Sequence, residues 1–260
     1  MSAIIAGTYN SRDTGGMPLV GGGVTRTGVL YRSDALAAVT DEGVRTLSDS
    51  PIGTIVDFRS DFERAEAPNR LGSERSFGEV VLPLLEGSMT GMPSPGGLGD
   101  PSDDVMRAML ARIPSLADLY VGMLDSAAAS FAEVARLVAR PSDDSRGAVL
   151  VHCTAGKDRT GVATALLLDA AGADRAAIVA DYAQSGTNLA GEWADRMLER
   201  ARGWGMPLVP ALTDLVTATP PRAMEDALAW VDERGGSAEY LRGGGLSDDD
   251  LQALRVRLAG

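Results

Sequence analysis

Cysteine, histidine and lysine occur once each in this chain of 260 residues. A single cysteine excludes an internal disulfide, and a free thiol is easiest to keep in a reducing compartment. One cysteine and one histidine cannot make the usual zinc ligand set, so no metal and no other cofactor is expected. Positive charge is also scarce, with 24 Lys and Arg against 36 Asp and Glu and a net charge of −12. Such a surface has no general attraction for nucleic acid or for an anionic membrane, so an anionic ligand must be held by a local site. No apolar run approaches the roughly 20 residues that span a bilayer, and residues 1–7 lack the basic start and apolar length of a signal peptide. The expectation is a cytoplasmic protein without stable membrane insertion. Hydrophobic residues at 45% and charged residues at 23% are ordinary for a globular chain, which predicts one domain over 1–260 around a packed core.

The rare residues are clustered. His152, Cys153 and Lys157 fall within six consecutive positions, and every other basic residue is arginine. A GC-rich genome explains arginine in place of lysine. It does not explain the clustering.

Strand-like runs at 29–32, 52–58, 79–85 and 148–153 alternate with helical ones, which predicts an α/β fold with a mainly parallel central sheet flanked by helices. Leu119, Met123, Ala127, Phe131, Val134 and Val138 recur at helical spacing, predicting one crossover helix over 116–139. A second helix follows Arg159 and stops near Gly172, where glycine suits the C-terminal cap. The part from 173 to 260 reads as helical, a cap over the sheet, and Ser247 with Asp250 marks the start of its last helix. Two stretches read as irregular. Residues 10–27 are glycine-rich and suggest a tight-turned surface loop, while 86–104, rich in Gly, Pro, Ser, Met and Asp, suggest a lid or a disordered loop.

Residues 148–164 read AVLVHCTAGKDRTGVAT. A buried strand delivers Cys153 to the carboxyl edge of the sheet, the edge at which α/β folds bind ligands, and a short loop leads into a helix. If the amides of Thr154, Ala155, Gly156, Lys157, Asp158 and Arg159 turn inward, they form a nest for a tetrahedral oxyanion at a positive helix end. Arg159 adds a fork that pairs with two phosphate oxygens. The same field favours the thiolate of Cys153, and the Thr160 hydroxyl is placed to stabilise the sulfur as nucleophile and leaving group. His152, on the strand side, is placed to orient the loop and not to act as base. A lone cysteine is more often structural, and a Cys-x5-Arg spacing alone is weak in an arginine-rich chain. The length of the match, with His152, Ala155, Gly156, Thr160 and Gly161 all at fitting offsets, outweighs that. A nucleotide-binding P-loop does not fit: Asp158 follows Gly156-Lys157, and Val151 stands where the first glycine should be.

His152 to Gly161 meets the signature H-C-x5-R-[ST]-G, and here the chain resembles the cysteine-dependent protein tyrosine phosphatase superfamily. Residues 10–16 (NSRDTGG), Tyr31-Arg32-Ser33, 56–60 (VDFRS) with Glu63, and Tyr240-Leu241-Arg242 with 245–247 (GLS) are similar to the bacterial branch exemplified by mycobacterial protein tyrosine phosphatase B. That branch carries an aromatic residue and a leucine where this chain has Ser11 and Thr14. The resemblance implies metal-independent phosphomonoester hydrolysis through a phosphocysteine, on phosphotyrosine proteins and with dual specificity. It implies Asp158, just before the loop arginine, as general acid, with Asp13, Asp57 and Asp61 in reserve. Asp57 and Arg59, on the rim beside Cys153, and Arg12 with Asp13 are supporting candidates, although a D-x-R pair is more often a structural salt bridge. Lys157 has two readings, a second cation for a phosphoinositide substrate or a solvated loop residue. Leaderless secretion, known among such relatives, is also open. A phosphate-binding module without turnover, and sulfur or arsenate transfer, are the rivals; the second wants a partner thiol that the chain lacks.

Overall fold

The computed structural model describes residues 3–84, 113–141, 146–203 and 207–260. The lid candidate at 86–104 lies outside the described residues. Five strands form one sheet in the order β1 (Arg12–Asp13), β2 (Leu30–Ser33), β5 (Ala148–His152), β3 (Ile52–Asp57) and β4 (Gly78–Val81). All neighbours are parallel except the edge pair β1–β2, which is antiparallel. The expected mainly parallel sheet is therefore present, with eleven α-helices among the described residues.

Alternation along β5 builds both cores. Val149 and Val151 face a large cluster with Leu166, Leu228 and Leu254, while Ala148 and Leu150 face a smaller one with Leu36, Leu47 and Ile52. The smaller face is covered by α1 (Asp41–Asp49), whose Thr40 cap accepts the Gly43 amide. The larger face carries α3 (Leu116–Ser126), α4 (Ala128–Ala139) and α5 (Arg159–Ala170). Residues 160–168 of α5 are all buried, so this helix is the hub of that layer. The later helices α6 (Arg175–Asn188), α7 (Glu192–Gly203), α8 (Pro210–Thr217), α9 (Pro221–Asp232), α10 (Gly236–Gly243) and α11 (Asp248–Ala259) follow. Among them α9 packs on α3, and α10 and α11 pack on α4, so they join the helical layer on one face of the sheet.

Three expectations change. The predicted helix over 116–139 is two helices, broken at Ala127 with φ −123°. Ser126 Oγ donates to the Gly122 carbonyl at 2.8 Å at the end of the first helix, a local competition that favours a stop. The strand expected at 79–85 ends at Val81. Leu82 and Leu84 still donate to the Asp57 and Phe58 carbonyls, but Pro83 between them has no N–H to donate. The glycine-rich stretch is a surface loop only in part: Val20 to Val24 are exposed, whereas Asn10, Ser11, Arg12 and Thr14 are buried and Arg12–Asp13 is an edge strand. No helix among the described residues is long and apolar enough to cross a membrane.

Candidate active site

At the end of β5 the chain leaves the sheet at Cys153 and enters α5 at Arg159. The Cys153 side chain is 1% exposed, and its Sγ accepts the Gly156 amide at 3.2 Å. Gly156 reaches that position with φ +67°, and a Cβ there would lie 2.3 Å from the Ser33 carbonyl oxygen. Only glycine fits both the left-handed backbone and the close approach to β2. The first turn of α5 has no side-chain cap, which leaves its amides to the loop. Thr160 Oγ1 is buried and has no hydrogen-bond partner among the described residues. A buried unsatisfied hydroxyl is costly, and this one adjoins the loop arginine.

The loop is held in shape from behind by buried donors. Asn10 Nδ2 donates to the Ala155 and Gly156 carbonyls at 3.1 Å each, and Arg32 donates to the Gly156 carbonyl at 2.7 Å. With carbonyls pulled outward, the amides between them are turned the other way. Asn10 is itself fixed by Arg12 and by Asn188 of α6. Asp181, also on α6, bridges Arg12 and Arg32 at 2.6 Å to each. Burial and the neighbouring Arg32 lower Arg12 to about 10, against the attraction of Asp181, while burial of Asp181 is outweighed by the two arginines, which lower it. Arg12 thus supports the loop through Asn10. Asp13 does not reach it: its carboxylate accepts the Gly15 and Gly28 amides at the far end of β2.

Arg159 is aimed by Glu63. Both terminal nitrogens of the guanidinium donate to the two Glu63 oxygens, at 2.8 and 2.7 Å, and NH1 also donates to the Phe58 carbonyl. Glu63 further accepts the Thr154 hydroxyl at 2.5 Å and the Ser60 amide at 2.8 Å. Burial pushes this carboxyl up, yet the bonds and charge of Arg159, with Thr154 and Ser60, bring it down to about 2. Glu63 stands on α2 (Asp61–Glu66), where Ser60 and Glu63 form a reciprocal capping box. Asp57 and Arg59 staple the segment leading to α2: Arg59 pairs with both Asp57 oxygens and donates to Ala67 O and Asn69 Oδ1. Burial of Asp57 is outweighed by Arg59, and its carboxyl is lowered. The pair is the structural bridge that its spacing suggests, in a place that serves the site. Asp61, at the start of α2, pairs with the half-exposed Arg64 instead.

His152 is fully buried, and burial, with Asp57 opposing and Arg59 assisting, lowers it to about 4. It is therefore neutral at physiological pH, with Asn69 Nδ2 3.4 Å from its Nε2. Asp158 accepts the Tyr120 hydroxyl at 2.7 Å and the Lys157 ammonium at 3.0 Å, both on Oδ1. Lys157 corrects both of its readings. It is 1% exposed, neither solvated nor offered to a second phosphate, and it also donates to the Leu215 and Ala218 carbonyls at the end of α8.

The sequence reading did not assign roles to Asn10, Glu63, Arg32, Tyr120 or Asp181. Glu63 carried a local signal, the S-x-x-E capping pattern, and Arg32 carried another, an arginine inside a buried strand. Asp181 and Tyr120 lie on helices with no local mark of their function.

A family model described as the tyrosine phosphatase family matches residues 4–260. The chain is 30% identical over 243 residues to a tyrosine-protein phosphatase of Nostoc commune, covering 88% of this chain and 74% of that one. It is 28% identical over 282 residues to the triple specificity protein phosphatase PtpB of Mycobacterium tuberculosis, covering 98% of both. With a cysteine at the sheet edge, an arginine at the helix start and a family match across the chain, this protein belongs to the tyrosine phosphatase family and is an enzyme of that kind.

Proposed function

We propose that the protein hydrolyses phosphomonoesters without metal through a phosphocysteine on Cys153, with phosphotyrosine in proteins as its main substrate and dual specificity. The observation that carries this is the pairing of Cys153 Sγ with the Gly156 amide on a loop whose outward carbonyls are tied back by Asn10 and Arg32. In the first step the sulfur attacks phosphorus as the bond to the leaving oxygen breaks, and Asp158 gives its proton to that oxygen. The inward amides from Thr154 to Arg159 and the Arg159 guanidinium hold the three equatorial oxygens, whose charge grows in the transition state. Glu63 holds both terminal nitrogens of Arg159 and so fixes the plane in which the guanidinium meets the phosphate oxygens. In the second step water attacks phosphorus, returns a proton to Asp158 and releases Cys153 as thiolate, and Thr160 donates to the departing sulfur.

A phosphoinositide substrate rested on Lys157 as a second cation. That support is gone, because its ammonium is committed to Asp158 and two carbonyls. The test is release of inorganic phosphate from phosphotyrosine peptide, phosphoserine peptide and phosphoinositides, with chelator present and with Cys153→Ser as control. The proposal expects turnover of phosphotyrosine peptide in chelator and none by the serine variant. Full turnover by Cys153→Ser, or its loss in chelator, overturns it.

A further inference from the structure

We propose that Tyr120 is a positioning residue for proton transfer, clamping Asp158 through one carboxylate oxygen so that the other carries the proton. This rests on the reading of Asp158 as the general acid. Tyr120 comes from α3, Tyr182 from α6 and Asp158 from the loop, so three separate elements meet at one carboxylate. The two tyrosine hydroxyls are 2.7 Å apart and Tyr120 is 2.7 Å from Asp158 Oδ1. Each hydroxyl has a single proton. Since Tyr120 spends its proton on Asp158, Tyr182 must donate to Tyr120, and the chain has one direction: Tyr182 to Tyr120 to Oδ1. Both rings are 1% exposed or less and pack edge to face with centroids 5.8 Å apart, so neither hydroxyl swings freely. Burial, with Asp158 and Tyr182 beside it, holds the Tyr120 hydroxyl well above the ordinary tyrosine range, so it remains a donor.

Lys157 supplies a second donor to the same oxygen at 3.0 Å. Two donors on Oδ1 exclude a proton there. Oδ2 has no hydrogen bond among the described residues, which leaves it as the oxygen that carries the transferable proton. Lys157 is in turn tied to the Leu215 and Ala218 carbonyls, so the aim of the acid also depends on how α8 ends. A tyrosine buried only for packing would need its hydroxyl satisfied, and Tyr182 alone would do that. The bond to a loop carboxylate is the additional feature.

The test compares an aryl phosphate with a good leaving group and an alkyl phosphate with a poor one. A poor leaving group needs its proton in the transition state; a nitrophenolate hardly does. In Tyr120→Phe, kcat on the alkyl phosphate should fall roughly tenfold, and on the aryl phosphate by no more than about twofold. In an Asp158→Asn background the same change should cost the alkyl rate nothing further, because the group being aimed is gone. Tyr182→Phe, one bond more remote, should show the same selectivity at about threefold, and it stands in if Tyr120→Phe does not fold. Equal losses on both substrates, no loss on either, or full additivity with Asp158→Asn would overturn the clamp. If Asp158→Asn by itself fails to separate alkyl from aryl substrates, the acid assignment falls and the clamp with it, an outcome visible before Tyr120 is touched.

Discussion

Replacing Glu63 by glutamine tests how the loop arginine is aimed. The Glu63 carboxylate takes four hydrogen bonds, two from Arg159, one from the Thr154 hydroxyl and one from the Ser60 amide. Glutamine keeps the shape, but each Glu63 oxygen accepts one guanidinium N–H, so whichever oxygen the NH2 replaces, at least one donor meets a donor. Glu63 is lowered from 4.5 to about 2, and a shift of that size is equivalent to about 3 kcal/mol. The side chain is 27% exposed, and solvent screening reduces this to about 2 kcal/mol. A carboxyl with a depressed folded-state pKa stabilises the fold fully above its unfolded value and loses that contribution as pH falls from about 4.5 through about 2. Chemical denaturation of the parent and Glu63→Gln between these limits and neutrality should show a gap of about 2 kcal/mol at pH 7 that closes toward pH 2. With the guanidinium no longer held, kcat/KM on an aryl phosphate should fall by roughly ten- to a hundredfold. A gap that does not change with pH, or an unchanged kcat/KM, would refute the pairing as the device that aims Arg159.

Three further outcomes follow from the same geometry. His152 is lowered from 6.5 to about 4, so between these values the unfolded chain binds a proton that the folded one refuses. Stability should drop by up to about 3 kcal/mol as pH falls through that window, and His152→Gln should flatten the slope in urea titrations; a slope kept by the variant assigns it elsewhere. Asn10→Asp sets an oxygen against the Ala155 and Gly156 carbonyls, and competitive inhibition by inorganic phosphate should weaken about tenfold with an unchanged circular dichroism spectrum. Inhibition as in the parent would show that Asn10 does not hold the loop. Gly156→Ala combines a positive φ with a Cβ 2.3 Å from backbone, and should lower kcat/KM at least about a hundredfold; parental kinetics would contradict the required conformation.

The loop after β5 was legible because its residues are contiguous: strand, cysteine, glycine, arginine and helix follow one another from Ala148 to Ala170. Strands β3 and β5 were legible for the same local reason, as apolar runs of residues with high strand propensity. What holds the loop was not, because it comes together only in space. Asn10 and Glu63 lie 146 and 96 residues from their partners Gly156 and Arg159. Both readings of Lys157, a second cation for substrate and a solvated loop residue, assumed an accessible ammonium, whereas the end of α8 supplies carbonyls that make its burial tolerable. The break at Ala127 has neither glycine nor proline to announce it, so helical spacing ran straight across it.

The most direct test of the account is to mix enzyme with an aryl phosphate, quench within the first turnover and locate the phosphoryl group by mass spectrometry. The account predicts a phosphate on the peptide bearing Cys153, formed as fast as phenolate is released and accumulating further in Asp158→Asn, where hydrolysis lacks its base. Phenolate released in that first turnover with no label on Cys153, or with the label on another residue, would contradict it.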